Sequence, residues 1–243
     1  MASTGLNVSL SSEGVKAMAI HEETFEGIYG VPEAAKLIQI THPLANGHTI
    51  PRTRLQYWIN TSVARLRPAD FPGQQNCISF RSLISMRLIS ILRAQGVSLE
   101  AIRTSESWLR GVAGIDWPFI SKPLWTYSSE LFTEFQDKLV VASNHGQQAM
   151  DFIREWLEKI DVDLLFDQED LAYAWLPQED VRIDPKIQLG KPCLAGTRIP
   201  TSTIWNKADA GDSVDVIAGL YGLSVDHVNH ALAWERRLVA ADS

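Results

Sequence analysis

From Tyr29 onward the chain alternates between stretches where apolar residues recur every three or four positions and stretches with no period. In GVPEAAKLI, Pro32 stands at a helix start and Val31, Ala34, Ala35 and Ile38 share one face. Glu33 falls in the first turn, where an acid favours the helix dipole. After the turn-rich THPLANGHT, PRTRLQYWI repeats the pattern: Pro51 opens a helix, Leu55, Trp58 and Ile59 point inward, and Arg52, Arg54 and Gln56 fall outward. Residues 60–79 carry no helical period. FRSLISMRLISILRAQGVSLEAIR then predicts a long helix, a stop at Gly96, and a second helix capped by Ser98 with Glu100 in its first turn.

Farther along, the texture changes. Residues 115–142 are aromatic and β-branched with short alternations, which predicts strands joined by tight turns. QQAMDFIREWLEKI returns to a helical period, and the following DVDLLFDQED reads as a solvated acidic linker. IDPKIQLGKPCLAGTRIPTSTIW reads as short strands turned at Gly190 and Gly196, followed by a helix opened by Pro200 and Thr201. Two more helices follow, one capped by Asp212 or Ser213, the other by Ser224 with Val228, Ala231 and Leu232 inward. Residues 1–24, rich in Ser, Gly and Glu, read as a flexible tail.

Composition narrows the function classes. An apolar fraction of 45% and a charged fraction of 21% exclude wholesale disorder. No run approaches the roughly 18 apolar residues of a membrane span, and the first thirty residues lack a basic start followed by an apolar stretch. A cytoplasmic protein without a membrane partner is the expectation. Cys77 and Cys193 belong to no paired motif and read as buried free thiols. The net charge of -7 hides an asymmetry: from Arg52 to Arg110 nine arginines face only Asp70, Glu100 and Glu106, whereas from Asp151 to Asp180 ten acids face only Arg154 and Lys159.

The basic half is where nucleic-acid chemistry concentrates. A helix that buries Leu55, Trp58 and Ile59 while presenting arginines, an amide and Tyr57 carries the groups that bind phosphate and read base edges. A solvated helix face with ordinary arginines fits the same stretch. Arg65 and Arg67 follow in the aperiodic segment, as a wing loop would place them. Over residues 29–110, YGVPEAAKL, RLQYWI and ISFRSLISMRLISILRAQGVSLEAIR resemble the MerR-type winged helix-turn-helix. That resemblance implies DNA-facing roles for Arg52, Thr53, Arg54, Gln56, Tyr57, Arg65, Arg67 and Arg81. The chain departs from the motif between Gln39 and Ile50, a stretch much longer than the roughly three- or four-residue turn usual there.

The carboxy-terminal phrase GKPCLAGTRIPTSTIW resembles the signature of a small family of helix-turn-helix antitoxin domains, long filed as a domain of unknown function. Gly190, Lys191, Pro192, Gly196, Thr197, Arg198, Ile199 and Pro200 all fall in register, and the likeness runs over residues 183–234. It implies a VapB-type antitoxin encoded beside a small PIN-like ribonuclease toxin. The toxin contact is expected on the surface between Ile115 and Asp180 together with this module, with Arg198 as one candidate for entering a nuclease site of clustered carboxylates. Other chemistries fit less well. Pro192 stands where a phosphate loop needs Ser or Thr. His227 and His230 lack the partners of a metal motif, and Asp161 with Asp163 shows no convergent ligands. No catalytic triad can be assigned, so no catalytic residue, metal or cofactor is expected and the chain reads as a non-enzyme.

Together these readings predict a mainly α fold with a small β component: a flexible tail over 1–24, a winged helix-turn-helix over 25–111, a central α+β segment with an acidic linker over 112–180, and a three-helix, helix-turn-helix-like domain preceded by short strands over 181–243. The expected function is an antitoxin that binds operator DNA as a homodimer, represses its own operon and neutralises the toxin. The alternative is a stand-alone MerR-like transcriptional regulator that binds a small effector through its aromatic middle.

Overall fold

The computed structural model describes residues 27–41, 51–61, 63, 77–94, 96–111, 114, 116–125 and 163–241. The fold is mainly α with small antiparallel sheets. A two-residue strand, Tyr29–Gly30 (β1), pairs antiparallel with Cys77–Ile78 (β2) and leads into helix α1, Val31–Thr41. Helix α1 buries the predicted face and adds Leu37 and Ile40 to it. Helix α2, Arg52–Asn60, begins after Pro51, whose φ of -59° suits a helix entrance, and buries Leu55, Trp58 and Ile59. Helix α3, Phe80–Ala94, is buried almost all round and forms the central post of the head. Gly96, at φ 91°, ends it by turning into the left-handed region. Helix α4, Leu99–Gly111, then starts where the Ala101 N–H donates to Ser98 Oγ at 3.0 Å.

The next segment departs from the sequence expectation. The described part of residues 115–142 contains no strand: Pro118–Ile120 form a 3-10 turn and Lys122–Trp125 (α5) a short helix, with Ser121 making an isolated bridge to Leu171. Pro118 explains why, since it lacks a ladder donor and its fixed φ favours the first helical position. Trp125 Nε1 then donates to the Phe119 carbonyl at 2.8 Å and folds the segment back on itself. Residues 126–142 and the helix expected over 147–160 lie outside the described residues.

The acidic stretch is not a solvated linker either. Leu164–Phe166 (β3) forms one edge of a four-stranded antiparallel sheet, followed in order by Ala172–Gln178 (β4), Val181–Ile183 (β5) and Cys193–Leu194 (β6). Asp163, just before β3, makes a two-pronged ion pair with Arg87 of α3, both bonds being 2.7 Å. Arg87 is 1% exposed, its guanidinium lying 5.3 Å from the Trp125 ring centroid and 4.8 Å from that of Trp175. Trp175 Nε1 donates to Asp163 Oδ2 as well, at 2.9 Å. Burial pulls the Arg87 pKa down and the Asp163 carboxylate opposes it. A buried cation needs its counter-charge inside the core, and this local demand overrides the solvated reading of the acids.

Three helices complete the chain: Thr201–Asp209 (α6), Val214–Tyr221 (α7) and Val225–Ala240 (α8). Ser213 and Ser224 cap the last two by accepting from the N–H groups of Val216 and His227. Leu194, Ile204, Ile217, Val228, Ala231 and Leu232 form their own small core. Trp234 instead joins the larger core, which gathers residues of α1 to α4, the 118–125 segment and the sheet.

Among the described residues, two contacts join the amino-terminal head (β1 to α4) to the carboxy-terminal tail (β5 to α8), and a third joins the sheet to α8. The Tyr29 ring packs against Gly190, where an added Cβ would lie 2.2 Å from the hydroxyl oxygen and 2.7 Å from Cζ. Gly190 also has φ 87°, so both space and backbone demand glycine there. The Tyr29 hydroxyl is buried with no hydrogen-bond partner among the described residues, and burial drives its pKa far above the ordinary range. Nearby, Arg237 of α8 donates to the Ile40 carbonyl at the end of α1, a cation placed at the negative end of a helix dipole. Its Nη1 also donates to Gln178 Oε1 at 3.1 Å. Finally, the β4–β5 turn grips α8: His230 Nδ1 lies 2.7 Å and His227 Nε2 3.6 Å from the two carboxylate oxygens of Asp180.

Two predictions follow from these joints. Gly190→Ala should destabilise the chain by at least the roughly 1–3 kcal/mol of a strained backbone, with a steric cost added. Tyr29→Phe alone, which removes an unsatisfied buried hydroxyl, should be neutral or stabilising by about 1 kcal/mol and should lessen the cost of Gly190→Ala. Urea unfolding of the double-mutant cycle measures this, and strictly additive costs would contradict the contact. The His230 pKa is raised above its ordinary 6.5, first by the hydrogen bond to Asp180 and then by Glu179 and Asp226, with burial opposing. The contact therefore contributes its full stability below pH 6.5 and loses it as pH rises through the higher folded value. Thermal melts between about pH 5 and 9 should show this decline in the native chain and not in Asp180→Asn; parallel curves would contradict it.

Candidate nucleic-acid interface

Helices α1 and α2 pack on each other, and α1 also touches α3 and α8. The apolar triplet Leu55, Trp58 and Ile59 anchors α2, so the opposite side of a helix with about 100° per residue must face away from the core. Thr53, Tyr57 and Asn60 fall along the middle of that outer side, while Arg52 and Arg54 fall on its two flanks. Arg52, Thr53, Arg54, Tyr57 and Asn60 are exposed and Gln56 is half-buried. Tyr57 leaves 54% of its surface in solvent, a large aromatic area for a helix to expose. Gln56 Nε2 donates to Asn60 Oδ1 at 3.1 Å, which orders two amide side chains one turn apart. Thr61 closes the helix by donating from its hydroxyl to the Tyr57 carbonyl at 2.8 Å.

The other DNA-facing residues predicted from sequence divide into two groups. Arg65 and Arg67 lie outside the described residues. Arg81, on α3, is half-buried, with its guanidinium 5.2 Å from the Trp117 ring centroid. It thus stacks on the segment after α4.

The carboxy-terminal signature has a largely structural explanation. Gly196, at φ 73°, turns the chain after β6, and Thr197 braces the turn by donating to the Leu194 carbonyl at 2.9 Å and accepting from the Ile199 N–H at 3.0 Å. Pro200 opens α6, and the Thr201 N–H donates to the Pro192 carbonyl at 3.0 Å. Gln188 Nε2 donates to the Arg198 carbonyl at 3.1 Å, holding two sides of the loop together. Burial raises the Cys193 thiol to about 11, which makes it a poor nucleophile at neutral pH. What the loop presents outward are the side chains of Lys191 and Arg198.

Helices α7 and α8 are joined by a short turn through Gly222, at φ 65°. The outward residues of this pair mix Asp215 and Asp226 with Arg236 and Arg237, and leave the apolar Val216 and Leu220 of α7 in solvent. Sequence reasoning missed two carboxylates at the head–tail junction, Glu33 of α1 and Glu235 of α8. Both pKa values are raised by burial, that of Glu33 against the opposing lysines 36 and 191 and that of Glu235 against a hydrogen bond from Thr201. They line a groove of about 520 Å³ between α1, the Lys191–Pro192 segment, α6 and α8. No group of His, Cys, Asp and Glu among the described residues is arranged to hold a metal ion, and no described helix is long and apolar enough to cross a membrane.

Comparison with known proteins places these observations. Among solved structures the chain is similar to the X-ray crystal structure of Rv2018 from Mycobacterium tuberculosis, with a TM-score of 0.61 and 20% identity, over 84% of this chain and 96% of that one. At that identity the likeness is one of fold. No curated protein matches the chain. Residues 181–234, from β5 into α8, match the family model described as "Protein of unknown function (DUF433)", and it is this carboxy-terminal unit that carries the family's pattern.

Proposed function

We propose that the protein is a DNA-binding antitoxin: its head binds operator DNA and represses its own operon, and its carboxy-terminal part holds a ribonuclease toxin of the PIN-like class. The observation that carries the DNA half is the outer side of α2. Arginines on both flanks suit two phosphate rows, and Thr53, Tyr57 and the Gln56–Asn60 amide pair lie between them to meet base edges. The apolar Val216 and Leu220 that α7 leaves exposed favour a protein partner over DNA for the tail. A nuclease that binds metal through clustered carboxylates is matched in charge by the exposed Lys191 and Arg198 on the signature loop. The effector-binding alternative finds less support, because Phe119 and Trp125 of the aromatic middle are buried in the core.

Binding to the chain's own upstream DNA, followed by fluorescence anisotropy, should weaken by about three to five decades between 50 and 200 mM salt if the dimer neutralises about six to ten phosphates. Arg52→Ala combined with Arg54→Ala should flatten that slope, while Tyr57→Ala should reduce discrimination between operator and unrelated DNA. Salt-insensitive binding, or binding unchanged in the double variant, would refute the head assignment. Co-expression with the neighbouring gene should give one complex on size exclusion that Arg198→Glu weakens. Absence of a complex with the native chain would refute the toxin assignment.

A further inference from the structure

We propose that the groove between α1 and α8 is a binding site for an organic cation, a guanidinium or ammonium group on a short apolar stem. The groove shares Lys191 with the proposed toxin surface and none of the residues proposed to read DNA, and its argument rests on neither reading. Its volume of about 520 Å³ falls within the ordinary range for small-ligand sites. One wall is α1, from the head; the other is α8 with the start of α6, from the tail.

Charge identifies the occupant. Glu235 is 9% exposed, and its Oε1 accepts a hydrogen bond of 2.5 Å from the Thr201 hydroxyl. Among the described residues it has no cationic partner and no donor to Oε2. Glu33, across the groove, differs in having Lys36 and Lys191 close enough to offset its charge. One deeply placed carboxylate therefore stays uncompensated, and a buried carboxylate in that position either protonates or recruits a cation. The raised pKa of Glu235 marks this deficit. An anionic ligand would meet two carboxylates, and a neutral one would leave Glu235 unpaired. Beside Lys36 and Lys191, which serve Glu33, the lining offers apolar surface for a stem: Leu37 of α1, Leu238 and Val239 of α8, and Pro32 and Pro192.

The chemistry is shared by two sources, a free small cation and the side chain of an arginine or lysine on a bound polypeptide. Calorimetry on the full chain with n-butylguanidinium, n-butylammonium and acetyl-Gly-Arg-Gly-amide tests the site and separates them. A saturable 1:1 isotherm is expected for the cations and none for n-butanol or butyrate. Glu235→Gln should weaken binding at least about tenfold, the loss of one charge-assisted bond. Val239→Trp, substituted from a position 50% exposed at the mouth, should block the groove without touching Glu235 and so provides a test should the first variant fail to fold. Tighter binding of n-butylguanidinium than of the peptide assigns a free cation; the reverse assigns a partner's side chain. The proposal is overturned if no cation or peptide saturates, if n-butanol or butyrate binds as well, or if the folded variants bind like the native chain.

Discussion

A guanidinium with almost no solvent contact can be held in an apolar core only if its charge is met there, and Arg87 imposes that condition on this fold. Breaking such a pair by removing one partner typically costs about 3–5 kcal/mol, because a charge is left buried and alone. Asp163 meets the charge with two parallel hydrogen bonds, and Trp125 and Trp175 supply the aromatic faces. These four residues come from α3, α5, the approach to β3, and β4. Satisfying one cation thus ties the central helix of the head to the turn beyond α4 and to the sheet that leads into the tail.

The tail is built against the head in a way that accounts for much of its signature. Gly190 gives room to Tyr29, Pro192 and Pro200 set the entry to α6, and Gly196 with Thr197 makes the turn between β6 and α6. Most of the phrase is therefore consumed in shaping a loop. Lys191 and Arg198 are left over, exposed on a rigid frame, which is the usual way a fold presents residues for recognition. The Tyr29 hydroxyl, buried without a hydrogen-bond partner among the described residues, is a cost of the joint, accepted where the ring fills the space above Gly190.

Charge distinguishes the two ends. The head exposes Arg52 and Arg54 on a helix without acids, whereas α7 and α8 expose Asp215 and Asp226 together with Arg236 and Arg237. Because α1 packs on α2 at one side and lines the groove at another, a ligand in the groove would press on the element that supports the proposed DNA-reading helix. The groove thereby offers a physical link between the two ends of the chain.

Local signals determined most of the elements. Periodicity placed α1 and α2 and their buried faces, Gly96 and Ser98 divided α3 from α4, Ser224 named the cap of α8, and that of α7 was narrowed to Asp212 or Ser213, because each of these depends on residues a turn or less away. The outward set on α2 was legible for the same reason: burying Leu55, Trp58 and Ile59 leaves Arg52, Thr53, Arg54 and Tyr57 in solvent. Contacts between distant segments were not legible. Alternating aromatics around Trp117 read as strands, yet Pro118 and the Trp125–Phe119 bond made a turn and helix; the acids before β3 read as solvated, yet one of them serves Arg87 from 76 positions away. Nor does either carboxylate of the groove stand out, since Glu33 looks like a first-turn acid and Glu235 like a surface acid of an amphipathic helix. By itself the sequence determined where α1 to α4 and α6 to α8 begin and which apolar faces they hide. Only the tertiary structure decided which charges are buried together, since that depends on partners the chain brings close only once its core has formed.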